Sequence, residues 1–158
     1  MFSANVFTPA KCISRLGQNL HILRSIAERI SQKEALQLRD GNDGWNTVEI
    51  ISHLADWDGI YATRIRNAVT EDRPMIVPYD PLARFESQGY ATRTLSEALL
   101  WLTERRTELI DLLRSLESEQ WLRKSIHPDD GEMSIYDIAY NVVLHDINHI
   151  EQIFKALE

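Results

Sequence analysis

The chain has 158 residues, 44% of them apolar and 26% charged, the length and balance of one ordinary globular domain over 1–158 rather than of a disordered or fibrous chain. Seventeen basic against 24 acidic residues give a net charge of −7, which disfavours nucleic acid and anionic membrane surfaces as partners, and no apolar run reaches the ~18 residues that a membrane span requires. One cysteine, Cys12, cannot form an internal disulfide, and the opening MFSANVFTPAK lacks a basic stretch followed by an apolar one, so a reducing, cytoplasmic setting is expected.

Glycine and proline cluster and divide the chain into four long segments. The first runs from Pro9 to Ile30, with Cys12, Ile13, Leu16, Leu20, Leu23, Ala27 and Ile30 at helical steps of three and four. The second, Asn46 to Val69, opens with a capping box of Asn46 and Glu49 and carries two apolar ladders, so it should be the most deeply buried helix. The link from Glu71 to Arg93, roughly 23 residues, is long for a structureless connection. Tyr79, Phe85 and Tyr90 suggest that it covers something, with a short helix near Leu82–Gly89. The third segment, Thr94 to Leu116, again has a capping box and a leucine seam interrupted by Arg106. The fourth, Ser134 to Leu157, carries Ile138, Val142, His145, His149 and Ile153 on one ladder. No stretch alternates long enough to need a sheet, so the expected fold class is all-α, a four-helix bundle with a long loop between helices two and three.

Three of the five histidines fall on the apolar ladders. His145 and His149, four positions apart, project from one helical face, a spacing at which two imidazoles hold one metal ion. His53, between Ile50 and Trp57 on the second helix, supplies a third ligand if the two helices bring their rings to one level. In a plain up-down-up-down bundle helices two and four are diagonal; a crossed connection makes them neighbours. Three protein nitrogens leave coordination positions for water or substrate.

The run Trp45-Asn46-Thr47-Val48-Glu49-Ile50-Ile51-Ser52-His53-Leu54-Ala55-Asp56 resembles the start of the second helix in the DinB/YfiT-like family. His127-Pro128, Gly131 and Ser134-Ile135, leading into His145-Asp146-Ile147-Asn148-His149-Ile150-Glu151-Gln152-Ile153, resemble that family's last helix. The resemblance implies a four-helix bundle of unusual connection order. It also implies a divalent metal, nickel or zinc, on His53, His145 and His149, and a metal-dependent enzyme, either hydrolase-like or a thiol S-transferase using a low-molecular-weight thiol cosubstrate. The expected partners are a small-molecule substrate and a second copy in a homodimer. The competing expectation is a non-catalytic metal- or small-molecule-binding bundle, whose site would be closed by a fourth ligand; Glu49, Asp56 and Cys12 are the candidates.

Asp56 and Arg106 are the candidate catalytic side chains. Asp56 is placed to accept the second N–H of a histidine ligand. Arg106 should be paired, with Asp56, with Asp146 or with a cosubstrate carboxylate, and Arg105 exchanges roles with it if the helix is rotated. Glu49 reads chiefly as a cap, Gln152 as a structural hydrogen-bonding group, His127 as a loop-stabilising residue with closure over the site as the alternative, His21 as solvated and Cys12 as a small core residue.

Overall fold

The computed structural model describes residues 7–158, and the first six residues of the MFSANVFTPAK opening lie outside it. Helices α1 (Pro9–Ala27), α3 (Thr47–Thr70), α5 (Leu95–Arg114) and α6 (Ile135–Leu157) form the bundle. They are joined by the short helices α2 (Gln32–Gln37) and α4 (Pro81–Ser87) and by strands β1 (Lys124–His127) and β2 (Gly131–Ser134). The ends lie where the side chains dictate. Asn46, Thr94 and Ser134 each accept from the backbone of the third helical residue, and Glu49, Glu97 and Asp137 reach back to the cap. Pro9 sits in the first turn of α1 with Thr8 as its cap.

α5 packs against α1 and α3, and α6 packs against the same two, so the order around the bundle is α1–α5–α3–α6. The second and fourth long helices are therefore neighbours, and the diagonals are α1 with α3 and α5 with α6. α3 is the most buried element, with its apolar ladders enclosed on several sides. Two apolar clusters fill the core, one at the Cys12, Ile65 and Val142 end and one at the Leu23, Leu54 and Ile150 end. No helix among the described residues is long and apolar enough to cross a membrane.

Two local features depart from the sequence reading. Residues 31–37 form a capped turn of helix, Ser31 with Glu34, too short for an apolar periodicity to show. The segment before α6 is an antiparallel hairpin in which Lys124 pairs with Ser134 and His127 with Gly131. Strands of four residues carry no legible alternation, and this pair gains its stability from its surroundings. Ile126 donates to Pro74 O at 2.9 Å and accepts from Ile76 N–H at 2.8 Å, so residues 74–76 run along the hairpin as a strap. Arg123 donates from Nε to Ala68 O and from Nη2 to Glu71 O, both at 2.6 Å, satisfying carbonyls at the α3 C-terminus. The long link is thus anchored at its start, and α4 with the 3-10 turn Tyr90–Thr92 orders the rest. Gly89, which opens that turn, has φ 61°, and a Cβ there would lie 2.8 Å from Thr92 Oγ1.

Candidate metal centre

α3 and α6, side by side, bring His53, His145 and His149 together. Their Nε2 atoms converge: His53 lies 3.0 Å from His145, and His149 lies 3.1 Å from His145. One ligand atom from each of the three falls within 4.8 Å of the others. Burial first, and then their mutual proximity for His53 and His145, depress all three imidazoles below the ordinary histidine value, His53 to about 3. They are neutral near pH 7 and each has one lone pair to offer.

Hydrogen bonds decide where the remaining protons sit. His149 Nδ1 is 2.8 Å from Gln152 Oε1, a pure acceptor, so Nδ1 carries the proton and Nε2 the lone pair. The same is derived for His53 through a longer chain. Tyr90 donates to Asp56 Oδ2 at 2.7 Å, and Tyr79 Oη lies 2.8 Å from Tyr90 Oη. Tyr90 has spent its one proton on the carboxylate, so Tyr79 donates to Tyr90 and must accept from His53 Nδ1–H at 2.9 Å. Asp56 thereby sets the tautomer of His53 across two phenols. Its carboxylate is held by a bidentate Arg84, whose Nε donates to Oδ2 at 2.8 Å and whose Nη2 donates to Oδ1. Burial pushes the Tyr79 hydroxyl up to about 12 and raises that of Tyr90, so both keep the protons this chain requires.

Two of the three inward nitrogens are thus bare, and at most one proton, that of His145, can lie among them. A single proton bridges only one of the two contacts. If His145 is instead protonated at Nδ1, the inward atoms are all lone pairs; this Nδ1 is buried with no hydrogen-bond partner among the described residues. A divalent ion resolves the conflict. Ligands ~2.0–2.1 Å from one ion and roughly at right angles are ~3 Å apart, the spacing observed for the His53–His145 and His145–His149 pairs. The donor set, three neutral imidazoles, suits zinc or nickel. The His145 ring is fixed by stacking on Trp57, with centroids 4.0 Å apart and planes 15° from parallel.

None of the fourth-ligand candidates joins the group. Glu49 is engaged by Asn46 N–H at 2.8 Å and by Arg39. Asp56 is occupied by Arg84 and Tyr90. Cys12 is fully buried in the apolar core, with its thiol pushed up by burial to about 12. A cavity of about 450 Å³ opens on His53 and His145, walled by Trp57, Tyr61 and Tyr79 and rimmed by His127, Asp129 and Asp130. His127 Nδ1 accepts from the N–H groups of Asp129 and Asp130 at 3.2 Å each, so it shapes the rim as well as lining it.

Arg106 lies elsewhere. It is fully buried on the bundle axis, where Nε and Nη2 donate to Asp58 at 2.6 and 3.1 Å, Nη1 and Nη2 donate to Asp146 at 2.7 and 2.8 Å, and Nη1 also donates to Leu16 O at 3.0 Å. No face of the guanidinium is open to a substrate. Asp146 is one of the partners expected; Asp58, which the ladder pattern did not single out, is the other. Tyr79, Arg84 and Tyr90 were also missed as site residues. The signal for them was the cluster of aromatics in an over-long link, which marked a cover without showing what each side chain touched. His21 is exposed.

Comparison with known proteins agrees with this geometry. The family model described as the DinB superfamily matches residues 15–153. The "Putative metal-dependent hydrolase YfiT" of Bacillus subtilis is 34% identical over 123 residues, covering 75% of this chain and 68% of that protein. A similarly named protein of Bacillus licheniformis is 30% identical over 150 residues, 90% of this chain and 81% of its own length. The solved structure of B. subtilis YfiT, described as having an unusual four-helix bundle topology, matches with a TM-score of 0.85 at 25% identity, over 99% of this chain and 91% of that one. A mycothiol-dependent maleylpyruvate isomerase shares the fold at a TM-score of 0.80 and 12% identity, over 97% of this chain and 63% of the isomerase. With a family model spanning nearly its whole length and relatives at this level of identity, the chain belongs to the DinB superfamily.

Proposed function

We propose that this protein is a metal-dependent enzyme in which His53, His145 and His149 hold a divalent zinc or nickel ion beside a small-molecule cavity. The observation that carries the reading is the convergence of three neutral imidazole nitrogens, His145 Nε2 lying 3.0 and 3.1 Å from those of His53 and His149, with too few protons among them. The names of the YfiT-like relatives support metal-dependent hydrolysis, and the isomerase of like fold supports a thiol cosubstrate. A bound divalent ion would supply Lewis acidity, lowering the pKa of a water or low-molecular-weight thiol so that it attacks a small electrophile near neutral pH.

The chain's own groups have separate tasks. Tyr79 and Gln152 hold the protons of His53 and His149 away from the centre. Asp56 is a positioning residue, acting through Tyr90 and Tyr79. Trp57 and Tyr79 wall the cavity and limit water, while His127, Asp129 and Asp130 at the rim are placed to exchange protons with a substrate. The buried, protonated Cys12 is no nucleophile, so the attacking group comes from outside the chain. A purely structural site would be closed by a fourth protein ligand; three ligands and an open cavity favour catalysis.

Elemental analysis of untagged protein tests the reading. Wild type should carry about one equivalent of metal, and His53→Ala and His149→Ala should carry little. Absence of stoichiometric metal under every loading condition would sink it. A screen of thiols and hydrolysable esters and amides then separates transferase from hydrolase.

A further inference from the structure

The strap of residues 74–81 lines two cavities. Pro78, Tyr79 and Pro81 wall the one at the histidines. Pro74, Met75, Ile76 and Val77 wall another, of about 420 Å³. We propose that this second cavity binds a small organic anion, an apolar body bearing a carboxylate or phosphate, and does so independently of any metal at the histidines.

The charge of its lining is the first argument. Arg64, Arg84 and Arg105 all face it, and Asp56 is the one carboxylate among the lining residues; Arg64 also lines the cavity at the histidines, so Arg105, not Arg64, tells the two apart. In a chain of net charge −7 this is a local excess of positive charge. The guanidinium groups are held in place without being used up. Arg84 gives two N–H groups to Asp56. Arg64 Nη2 donates to Val77 O at 2.8 Å, with the guanidinium 4.6 Å above the Tyr61 ring. Arg105 Nη1 donates to Glu108 Oε2 at 3.1 Å. Each guanidinium has five N–H donors, so donors remain on all three in a planar geometry suited to carboxylate or phosphate.

The second argument is independent of charge. Ser125 is 0% exposed and lines this cavity, and its Oγ is buried with no hydrogen-bond partner among the described residues. Leaving a buried hydroxyl unpaired is costly, and a turn of the Ser125 side chain into the cavity would let an oxygen of a bound anion pair it. The remaining walls choose the body of the ligand. Ile60, Ile76 and Trp101 are apolar, and Met75 and Val77 are 63% and 79% exposed, apolar surface that a ligand would cover. The volume falls in the usual range for small-molecule sites and far exceeds a bare inorganic ion.

Titration calorimetry with phenylacetate, phenyl phosphate and the neutral phenylacetamide tests the proposal, on protein as purified and after chelation. At least one anion should bind with Kd below about 1 mM, more weakly as salt rises, with the amide at least ~10-fold weaker. The tighter anion identifies the head group. The double variant Arg64→Gln/Arg105→Gln should lose at least ~10-fold in affinity while keeping the wild-type circular dichroism spectrum. Arg105→Gln alone, at a side chain 44% exposed, keeps the test valid if the double variant misfolds and should lose at least ~3-fold. The proposal is overturned if neither anion reaches that affinity, if the amide binds as tightly, or if the arginine variants bind as wild type. Binding that vanishes on chelation places the anion at the histidines and also overturns it, whatever the variants show.

Discussion

Tyr79 shows how much of the centre depends on one hydroxyl. Among the described residues its oxygen is the one acceptor for the His53 Nδ1 proton, and its own proton is claimed by Tyr90. Tyr79→Phe removes that acceptor, leaving an imidazole free to turn or to move its proton to the inward nitrogen. Loss of such an outer partner typically costs ~10–100-fold in metal affinity. That is the expected result of competition titration against a chelator, with secondary structure unchanged; unaltered affinity would remove the tyrosine from the site. At this scale the sequence was legible where chemistry and position coincide. His53, His145 and His149 stood on core-facing ladders, a place imidazoles occupy only with partners. Asp56 was legible as an acceptor near His53, but the two phenols between them were not, because the partners lie 23 and 34 positions along the chain in a link with no periodic pattern. Asp58 was passed over because one acidic residue on a helix is ordinarily solvated, and only the bundle axis shows that it is not.

The elements were legible where hydrophobic period and caps agree. All four long helices fall within a few residues of their expected limits because Thr8 with Pro9, Asn46, Thr94 and Ser134 are capping residues just ahead of an apolar ladder. The cap of α3 has a measurable share in stability. Asn46 accepts from Glu49 N–H at 2.9 Å and is 3% exposed, so Asn46→Ala should cost about 1–2 kcal/mol by urea denaturation. Metal content per folded molecule should be unchanged, since His53 lies nearly two turns further on. The hairpin and α2 were not legible. Four- and six-residue elements carry too few positions for a period to appear, and the hairpin is stabilised by the strap docked against Ile126.

At the scale of the molecule, Arg106 joins all four long helices: Leu16 from α1, Asp58 from α3, Asp146 from α6 and its own α5. Asn19 of α1 also donates to Asp146 at 3.1 Å. Arg106→Met leaves two carboxylates buried without their cation and should cost roughly 3–5 kcal/mol by chemical denaturation. A loss below ~1 kcal/mol would mean that the carboxylates escape to water or take up protons cheaply. The buried titratable groups also set a pH dependence for metal-free protein. His53, His145 and His149 have folded pKa values below their ordinary 6.5, so the unfolded chain binds more protons as the medium acidifies. Their contribution is present above pH 6.5 and is lost as pH falls, for His53 down to about 3. Asp58, raised by burial to about 6 against the pull of Arg106, works in the opposite sense between 3.8 and 6, one group against three. The denaturation midpoint of chelator-treated protein should therefore fall between pH 7.5 and 5, and His53→Ala should flatten that fall; a midpoint that rises on acidification contradicts the assignment.

The bundle order has one more consequence. Setting α3 beside α6 puts His53 within 3.0 Å of His145 although 92 positions separate them in the chain. The unfolded chain offers no such preformed site, so an ion gripped by both would hold the folded state by mass action, about 4 kcal/mol at a free concentration ~1,000 times Kd. That is comparable to a structural disulfide, in a protein whose only cysteine cannot make one. Stripping the ion would then slacken the whole bundle as well as silence the chemistry, so the joint that does the work would also be the rivet that keeps the frame closed.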